Sequence, residues 1–387
     1  MLPYSRQAID EQDIQSVVDV LQSDWLTTGP LVSQFESAIA DYSGSRHAVS
    51  MSNGTAALHA AANALGLQTG DEVIVPAITF VATANAVIYC GATPVFADVD
   101  PETLLIDPQD VIRKITPRTR AVFPVDYAGQ TCDYPTLRNI AMRNGLKIVA
   151  DCAHSLGGMS FGRPITSWTD MVCHSFHPVK QITTCEGGMV ATNSSEMAAD
   201  LQQFRNHGIS TDHHQRAANG QFAYDMQSLG FNYRLSDVHC ALGLSQLQKL
   251  GDWTQRRARI AAEYHRNLQD MDFVRPLEIR RGASHGWHLF VVRWDSQMTG
   301  LSRDDALAAL RGRGIGANVH YRPVYQHSFY RQLGEHLRFD CCPHAETVYD
   351  QILSLPIFPA MTANDVTFVV NALREIGASH QVRAKVV

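Results

Sequence analysis

HAVSMSNGTAALHAAANALGLQTGDEVIVPA, residues 47–77, reads as strand, turn, helix, turn and strand. HAVSM is a short apolar run, and Asn53-Gly54 breaks it. An Ala-rich helix then starts near Thr55, and DEVIVPA is a second apolar run. The same alternation continues outward. FVATANAVIYCG (80–91) has the composition of a helix that ends at Gly91. TPVFADVD (93–100), AVFPVDY (121–127) and KIVADCA (147–153) read as strands, the last two separated by the helix-like PTLRNIAMRNG (135–145). MVCHSF (171–176) and GGMVATN (187–193) extend the pattern. Strands alternating with helices predict an α/β fold built on a largely parallel sheet. Their nearly continuous apolar character suits strands covered on both faces.

Beyond this region, residues 237–270 form a long charged segment that predicts one or two helices leading out of the first domain. The remainder mixes strands such as WHLFVVRW (287–294) with helices such as RDDALAALRGRG (303–314), as in a smaller α+β domain. The expected division is a large domain over 1–249 and a small C-terminal domain over 250–387. The polar stretch His207–Gln221 is expected to be a mobile loop.

Composition narrows the function classes. Of 387 residues, 45% are hydrophobic and 18% charged, with a formal charge of −6. That suits a soluble enzyme with a large core and lacks the basic footprint of a nucleic-acid binder. No apolar run approaches a membrane span. The N-terminus MLPYSRQAIDEQDIQSV has no basic segment followed by an apolar one, so the expected location is the cytoplasm. The eight cysteines form no CxxC pair. Cys341, Cys342 and His344 lie close together without a second ligand pair, so no metal site is expected.

Three features carry chemistry. Lys180 lies in HSFHPVKQITTCEGG, just past a strand and before a glycine pair; a lysine is a nucleophile once burial lets it lose its proton. Asp151 ends the apolar strand KIVAD, so its carboxylate emerges at the strand's C-terminal edge, where open α/β sheets bind ligands. SNGTAAL (52–58) runs from a strand into a helix, and free N–H groups there suit a phosphate. Each has an ordinary alternative: a surface lysine, a turn-capping Asp, and a helix N-cap by Ser52 or Asn53. No GxxxxGK[ST] and no GxGxxG after the first strand is present, which disfavours P-loop and Rossmann nucleotide sites.

In chain order, WLTTGP (25–30), SNGTAAL, PAITFVATANA (76–86), ADCAHSLG (150–157), HSFHPVK (174–180), EGG (186–188), RNHG (205–208), GFNYRLSD (230–237) and HYRPVY (320–325) resemble the DegT/StrS-type sugar-nucleotide aminotransferases. The resemblance covers essentially the whole chain. It implies the fold-type-I arrangement, with a mostly parallel seven-stranded sheet flanked by helices. It also implies pyridoxal 5'-phosphate (PLP) as cofactor and a homodimer with shared active sites. The N-terminal stretch PYSRQAIDEQDIQSVVDVLQSDWLTTGP resembles the branch that aminates C4 of a UDP-linked 4-keto-6-deoxy-N-acetylhexosamine for pseudaminic acid, with L-glutamate as the expected donor.

The resemblance also implies residue roles. Lys180 would be the Schiff-base residue and proton shuttle. Asp151 would pair with the pyridine nitrogen, and His154 with the ring hydroxyl. Gly54, Thr55 and Ser175 would hold the phosphate, and Asn232 would reach the phosphate in the neighbouring subunit. Phe80 would stack on the ring, against the alternative of a core Phe on a helix. Tyr4, Thr28, His320 and Tyr321 would lie near the sugar nucleotide. A related sugar dehydratase would carry His at position 180, and a regulatory homologue would lack Lys180 or Asp151. Two positions depart from the pattern. Cys185 stands where the family usually has Gly, and Cys152 where a small residue, often Ala, is usual. Cys185 is expected to restrict the loop if the backbone there needs a positive φ.

Overall fold

The structure is a computed structural model and describes residues 1–211, 220, 223–333 and 342–384. Two helices, α1 (Glu11–Leu21) and α2 (Pro30–Ser43), precede the 47–77 unit. That unit folds as its pattern predicts, into β1 (His47–Met51), α3 (Gly54–Ala64) and β2 (Glu72–Pro76). The alternation continues through α4 (Val81–Tyr89), β3 (Thr93–Ala97), α5 (Pro108–Lys114), β4 (Thr119–Val122), α6 (Tyr134–Asn144) and β5 (Lys147–Asp151). A short hairpin, β6 (Met159–Ser160) with β7 (Arg163–Pro164), leads to β8 (Met171–Ser175) and β9 (Gly188–Thr192). AVFPVDY is thus a strand only as far as Val122. Pro124 has no N–H to give to a ladder, and beyond it only an isolated parallel bridge between Val125 and Asp151 continues the pairing.

The central sheet has seven strands in the order β1-β9-β8-β5-β4-β2-β3. Pairs among β3, β2, β4, β5 and β8 are parallel, and β9 runs antiparallel to both β8 and β1. The exception has a local cause. No helix lies between β8 and β9, and a parallel return needs a crossover. The chain therefore comes straight back, closing the loop with Phe176 N–H to Gly187 O at 2.8 Å and Thr184 N–H to Phe176 O at 3.0 Å. Lys180 lies on this loop.

Helix α3 packs on β8 and β9 through Ala56, Ala57, Ala60 and Ala61, all buried. Their small side chains let the helix lie close to the sheet. This brings its N-terminus beside the C-terminal ends of β1 and β8. Helices α7 (Ser195–Arg205), α8 (Asp237–Leu247) and α9 (Leu250–Leu268) follow. The charged segment 237–270 thus forms two helices, and the first stays with the large sheet by packing on α1 and α2.

A second core gathers α9, α10 (Arg303–Gly312), α11 (Ala363–Ala384) and an antiparallel sheet of β10 (Val274–Pro276), β11 (Phe290–Trp294) and β12 (Ile352–Leu355). Leu250 belongs to the first core and Ile260 to the second, so α9 spans both. We keep a division after residue 249 as a proposal. The N-terminus also reaches the second core, through a parallel bridge between Leu2 and Ile315. Most of the loop expected over 207–221 lies outside the described residues. No described helix is long and apolar enough to cross a membrane.

Candidate active site

A cavity of about 900 Å³ opens at the C-terminal ends of β1, β5 and β8. Its lining includes Lys180, Asp151, Gly54, Thr55, Ser175, His154, Phe80, Tyr4, His320 and Tyr321. The topology thus brings ten of the twelve expected residues to one place. Thr28 and Asn232 lie outside this lining. Asn232 is exposed and bridges Asn206, and Thr28 is partly buried with φ of 57°.

Asp151 ends β5, as the apolar run before it requires. Its carboxylate is buried and accepts from Thr83 Oγ1 at 2.7 Å and Ala153 N–H at 3.2 Å. Thr83 in turn meets Thr79 Oγ1 at 2.8 Å, which ties α4 to the acid. Burial pushes the Asp151 carboxyl above the usual carboxylate range, while the Thr83 hydroxyl, the Ala153 N–H and the charge of Lys180 oppose it. Burial likewise brings the Lys180 ammonium down to about 8, against the pull of Asp151. Lys180 is partly buried, and its backbone N–H donates to His177 O at 2.8 Å to form the turn. An amine lowered this far has an appreciable free-base fraction near neutrality, as a nucleophile or base requires.

The loop from β1 into α3 is both a cap and a cradle. Asn53 caps α3 by accepting from Ala56 N–H at 2.8 Å. The N–H groups of Gly54 and Thr55, in the first turn of α3, have no intrahelical partner. Ser175 Oγ stands beside them. A Cβ at Gly54 would come within 2.8 Å of Ser175 Cβ and 3.0 Å of its Oγ. Two backbone donors at a helix start, with the hydroxyls of Thr55 and Ser175, form the donor set of a phosphate. A Gly54→Val substitution is expected to fill this cradle. The cofactor dissociation constant should rise about tenfold or more, as one lost charge-assisted hydrogen bond of about 1.5–3 kcal/mol requires; titrating the apo-protein with PLP measures it.

Aromatic and imidazole groups line the rest. Phe80 is not a core residue but the N-cap of α4. It is 56% exposed, at the cavity, with its ring 6.0 Å from that of Tyr321. The Tyr321 hydroxyl meets His154 Nε2 at 3.3 Å. Tyr127, fully buried, donates to the His320 carbonyl, and His320 Nδ1 meets Ser354 Oγ at 2.8 Å. Burial brings His320 down to about 4 and His154 well below the usual imidazole range. Burial thus favours the neutral form of both rings. A buried pyridine ring would find a carboxylate at Asp151, an imidazole at His154, an aromatic face at Phe80 and an amine at Lys180. The residues present fit PLP.

The sequence reading passed over several supporting groups. Thr83 sits in an apolar helix and gains its role only where α4 meets β5. Asp126 could have been found by the rule that found Asp151, an acid after an apolar strand. It is fully buried and accepts from Ser155 Oγ at 2.5 Å, Tyr134 Oη at 2.8 Å, Cys132 N–H at 2.9 Å and Cys152 Sγ at 3.3 Å. Burial nevertheless lifts its carboxyl to about 6. Cys152 is thus a donor to Asp126 and fits its small site. Cys185 does have the positive φ that favours glycine, at 67°. A Cys185→Gly substitution is expected to stabilise the protein by about 1 kcal/mol, since a side chain in the left-handed region costs roughly 1–2 kcal/mol. Urea unfolding of the apo-protein measures this.

The sequence pattern of the DegT/DnrJ/EryC1/StrS aminotransferase family matches residues 7–374. Among solved structures, the Helicobacter pylori aminotransferase PseC, involved in pseudaminic acid biosynthesis, is 31% identical with a TM-score of 0.91 over 98% of this chain and 99% of that one. A Streptococcus pneumoniae protein described as a sugar aminotransferase, in its PMP form, is 30% identical with a TM-score of 0.91 over 98% and 100%. DesI, solved in the presence of its TDP-sugar product, is 31% identical with a TM-score of 0.88 over 100% and 95%.

Proposed function

The chain belongs to the DegT/DnrJ/EryC1/StrS aminotransferase family, whose members are PLP-dependent sugar aminotransferases, and from that premise we propose its substrate and residue roles. It moves an amino group from L-glutamate to C4 of a UDP-linked 4-keto-6-deoxy-N-acetylhexosamine, in the synthesis of pseudaminic acid or a related surface sugar. The observation that carries the sugar is the likeness to PseC over nearly the full length of both chains.

When bound, PLP supplies an electron sink for charge developing at the reacting carbon. The protein does the rest. Gly54 and Thr55 N–H, with the hydroxyls of Thr55 and Ser175, bind the phosphate. Asp151 holds a proton at the pyridine nitrogen, and His154 meets the ring hydroxyl. Phe80 covers one ring face. Lys180 would take a proton from the α-carbon of glutamate in the first half and give one to C4 of the sugar in the second, as general base and then general acid. Tyr4, Thr28, His320 and Tyr321 orient the sugar.

In this reading the working unit is a homodimer in the cytoplasm. Asn232, exposed and outside the lining to which its neighbours Phe231 and Tyr233 belong, reaches the partner's phosphate. The exposed apolar side chains of Tyr224, Met226 and Leu229 nearby support burial of this face by a second copy.

A panel of UDP- and TDP-linked keto sugars with glutamate, followed for amino-sugar formation, tests the substrate. The UDP-linked 4-keto-N-acetylhexosamine is expected to react fastest. Preference for a TDP sugar would favour a second reading, motivated by DesI, in which the same chemistry serves another nucleotide sugar. Amination of neither would overturn both.

A further inference from the structure

Beneath the cavity, two buried imidazoles lie against each other. The rings of His154 and His288 have centroids 4.2 Å apart and planes 34° apart. They are 4% and 2% exposed. His154 lines the cavity and His288 does not. Each leaves its buried Nδ1 without a hydrogen-bond partner, and His154 places Nε2 on the Tyr321 hydroxyl. No hydrogen bond joins the two rings, so their contact is one of packing.

His288 is held in place from two directions. Its segment pairs with the turn after β4, through Gly286 N–H to Gly129 O at 2.8 Å and Leu289 N–H to Ala128 O at 3.1 Å. Gly129 has φ of 99°, and a Cβ there would lie 2.8 Å from His154 O and 3.1 Å from His288 N. Only glycine lets these two segments approach so closely. From the other side, Arg257 on α9 is buried and donates through Nη1 to the carbonyls of Trp287 at 3.2 Å, His288 at 3.5 Å and Ile357 at 2.8 Å. A buried guanidinium is costly to desolvate. Here it braces one short segment.

The charges around the pair act in one direction. His288 is faced by His154, Lys180, Arg257 and His320, and after burial each lowers its affinity for a proton. His154 is faced by Lys180 and His320 with the same sign, and by the Tyr321 hydroxyl. A proton on either ring would put a charge against the other ring and toward the cations behind it.

We infer that His288 is a positioning residue: its ring, braced by Arg257, fixes the orientation in which His154 meets the bound cofactor. The inference rests on the reading that His154 contacts the cofactor ring. His288→Leu removes the neighbouring ring, and His288→Phe keeps a ring there. His154→Leu and the His154→Leu/His288→Leu double variant close a cycle. For each holoenzyme, the cofactor dissociation constant and the pH midpoint of its visible absorbance are measured, along with Tm of the apo-protein.

His288→Leu is expected to raise the dissociation constant about tenfold, as coupling between residues in contact allows, and to move the midpoint. His288→Phe should stay within about twofold. The Leu change at 288 should add nothing once His154 is Leu. An unaltered His154→Leu protein overturns the His154 reading and this inference with it. An altered His154→Leu protein beside an unaltered His288→Leu protein overturns the inference alone. So does a His288→Leu effect that persists undiminished in the double variant, or one confined to Tm.

Discussion

Lys180→Ala is expected to lower turnover of keto sugar with glutamate by about 10²–10⁴-fold or more, the usual contribution of a positioned acid-base group. Cofactor affinity should suffer less, because the phosphate cradle at Gly54, Thr55 and Ser175 remains. Lys180→Arg should be equally inactive, since guanidinium keeps its proton and cannot exchange it. The pH dependence follows from burial, which brings the ammonium down to about 8. Only the free amine is a nucleophile. The rate at which apo-protein captures PLP, read as growth of visible absorbance, should therefore rise with pH through about 8 and then level. The same shift affects stability. Between about 8 and the ordinary lysine range, the unfolded chain binds a proton at this site and the folded chain does not. The apo-protein should thus gain stability as pH rises through that window, and Lys180→Ala should remove the gain.

Lys180, Asp151 and the Gly54–Thr55 loop were legible because each depends on local chain features. An apolar strand must end in an exposed edge, a strand-turn-helix must present free N–H groups, and motif order links them. The seven-stranded sheet was legible for the same reason, since most parallel steps carry their own helix, the step from β5 to β8 over the β6–β7 hairpin being the exception. The antiparallel return to β9 was not, because an apolar strand carries no mark of direction. Groups placed by packing between distant segments were equally hidden. Thr83 reaches Asp151 only because the first turns of α4 come to the end of β5, and His288 reaches His154 only because Gly129 opens the space. Phe80 was half legible. It lies at the cavity and not in the core, and its exposure at a helix N-cap came from how α4 begins. Cys185 was read from the opposite direction, as a residue in the place of glycine, and its φ of 67° has the sign that this substitution resists.

Asp151→Asn is expected to lower turnover roughly as much as loss of the lysine, by a different physical route. The carboxylate is buried, and desolvation raises its pKa. The Thr83 hydroxyl, the Ala153 N–H and the charge of Lys180 oppose that rise. In the proposed arrangement a protonated ring nitrogen beside it would complete that compensation. Asn keeps the shape and removes the charge, so a ring cation there would be buried without its partner. Breaking a buried pair in this way costs about 3–5 kcal/mol, or roughly 10²–10⁴-fold in rate. The loss should appear in kcat rather than in sugar KM, because Asp151 touches no sugar group in the proposed arrangement. Stability should move the other way. A carboxyl whose folded pKa lies above its unfolded value binds more protons in the native state, so its contribution to stability falls as pH rises through that interval. Apo-protein with Asn at this position should therefore be at least as stable as wild type near neutrality by thermal unfolding. Its advantage should shrink on acidification, as the native Asp151 becomes protonated. A variant equally active and less stable would show that the buried acid serves the fold; a variant inactive and as stable would show that the fold carries the acid for the chemistry.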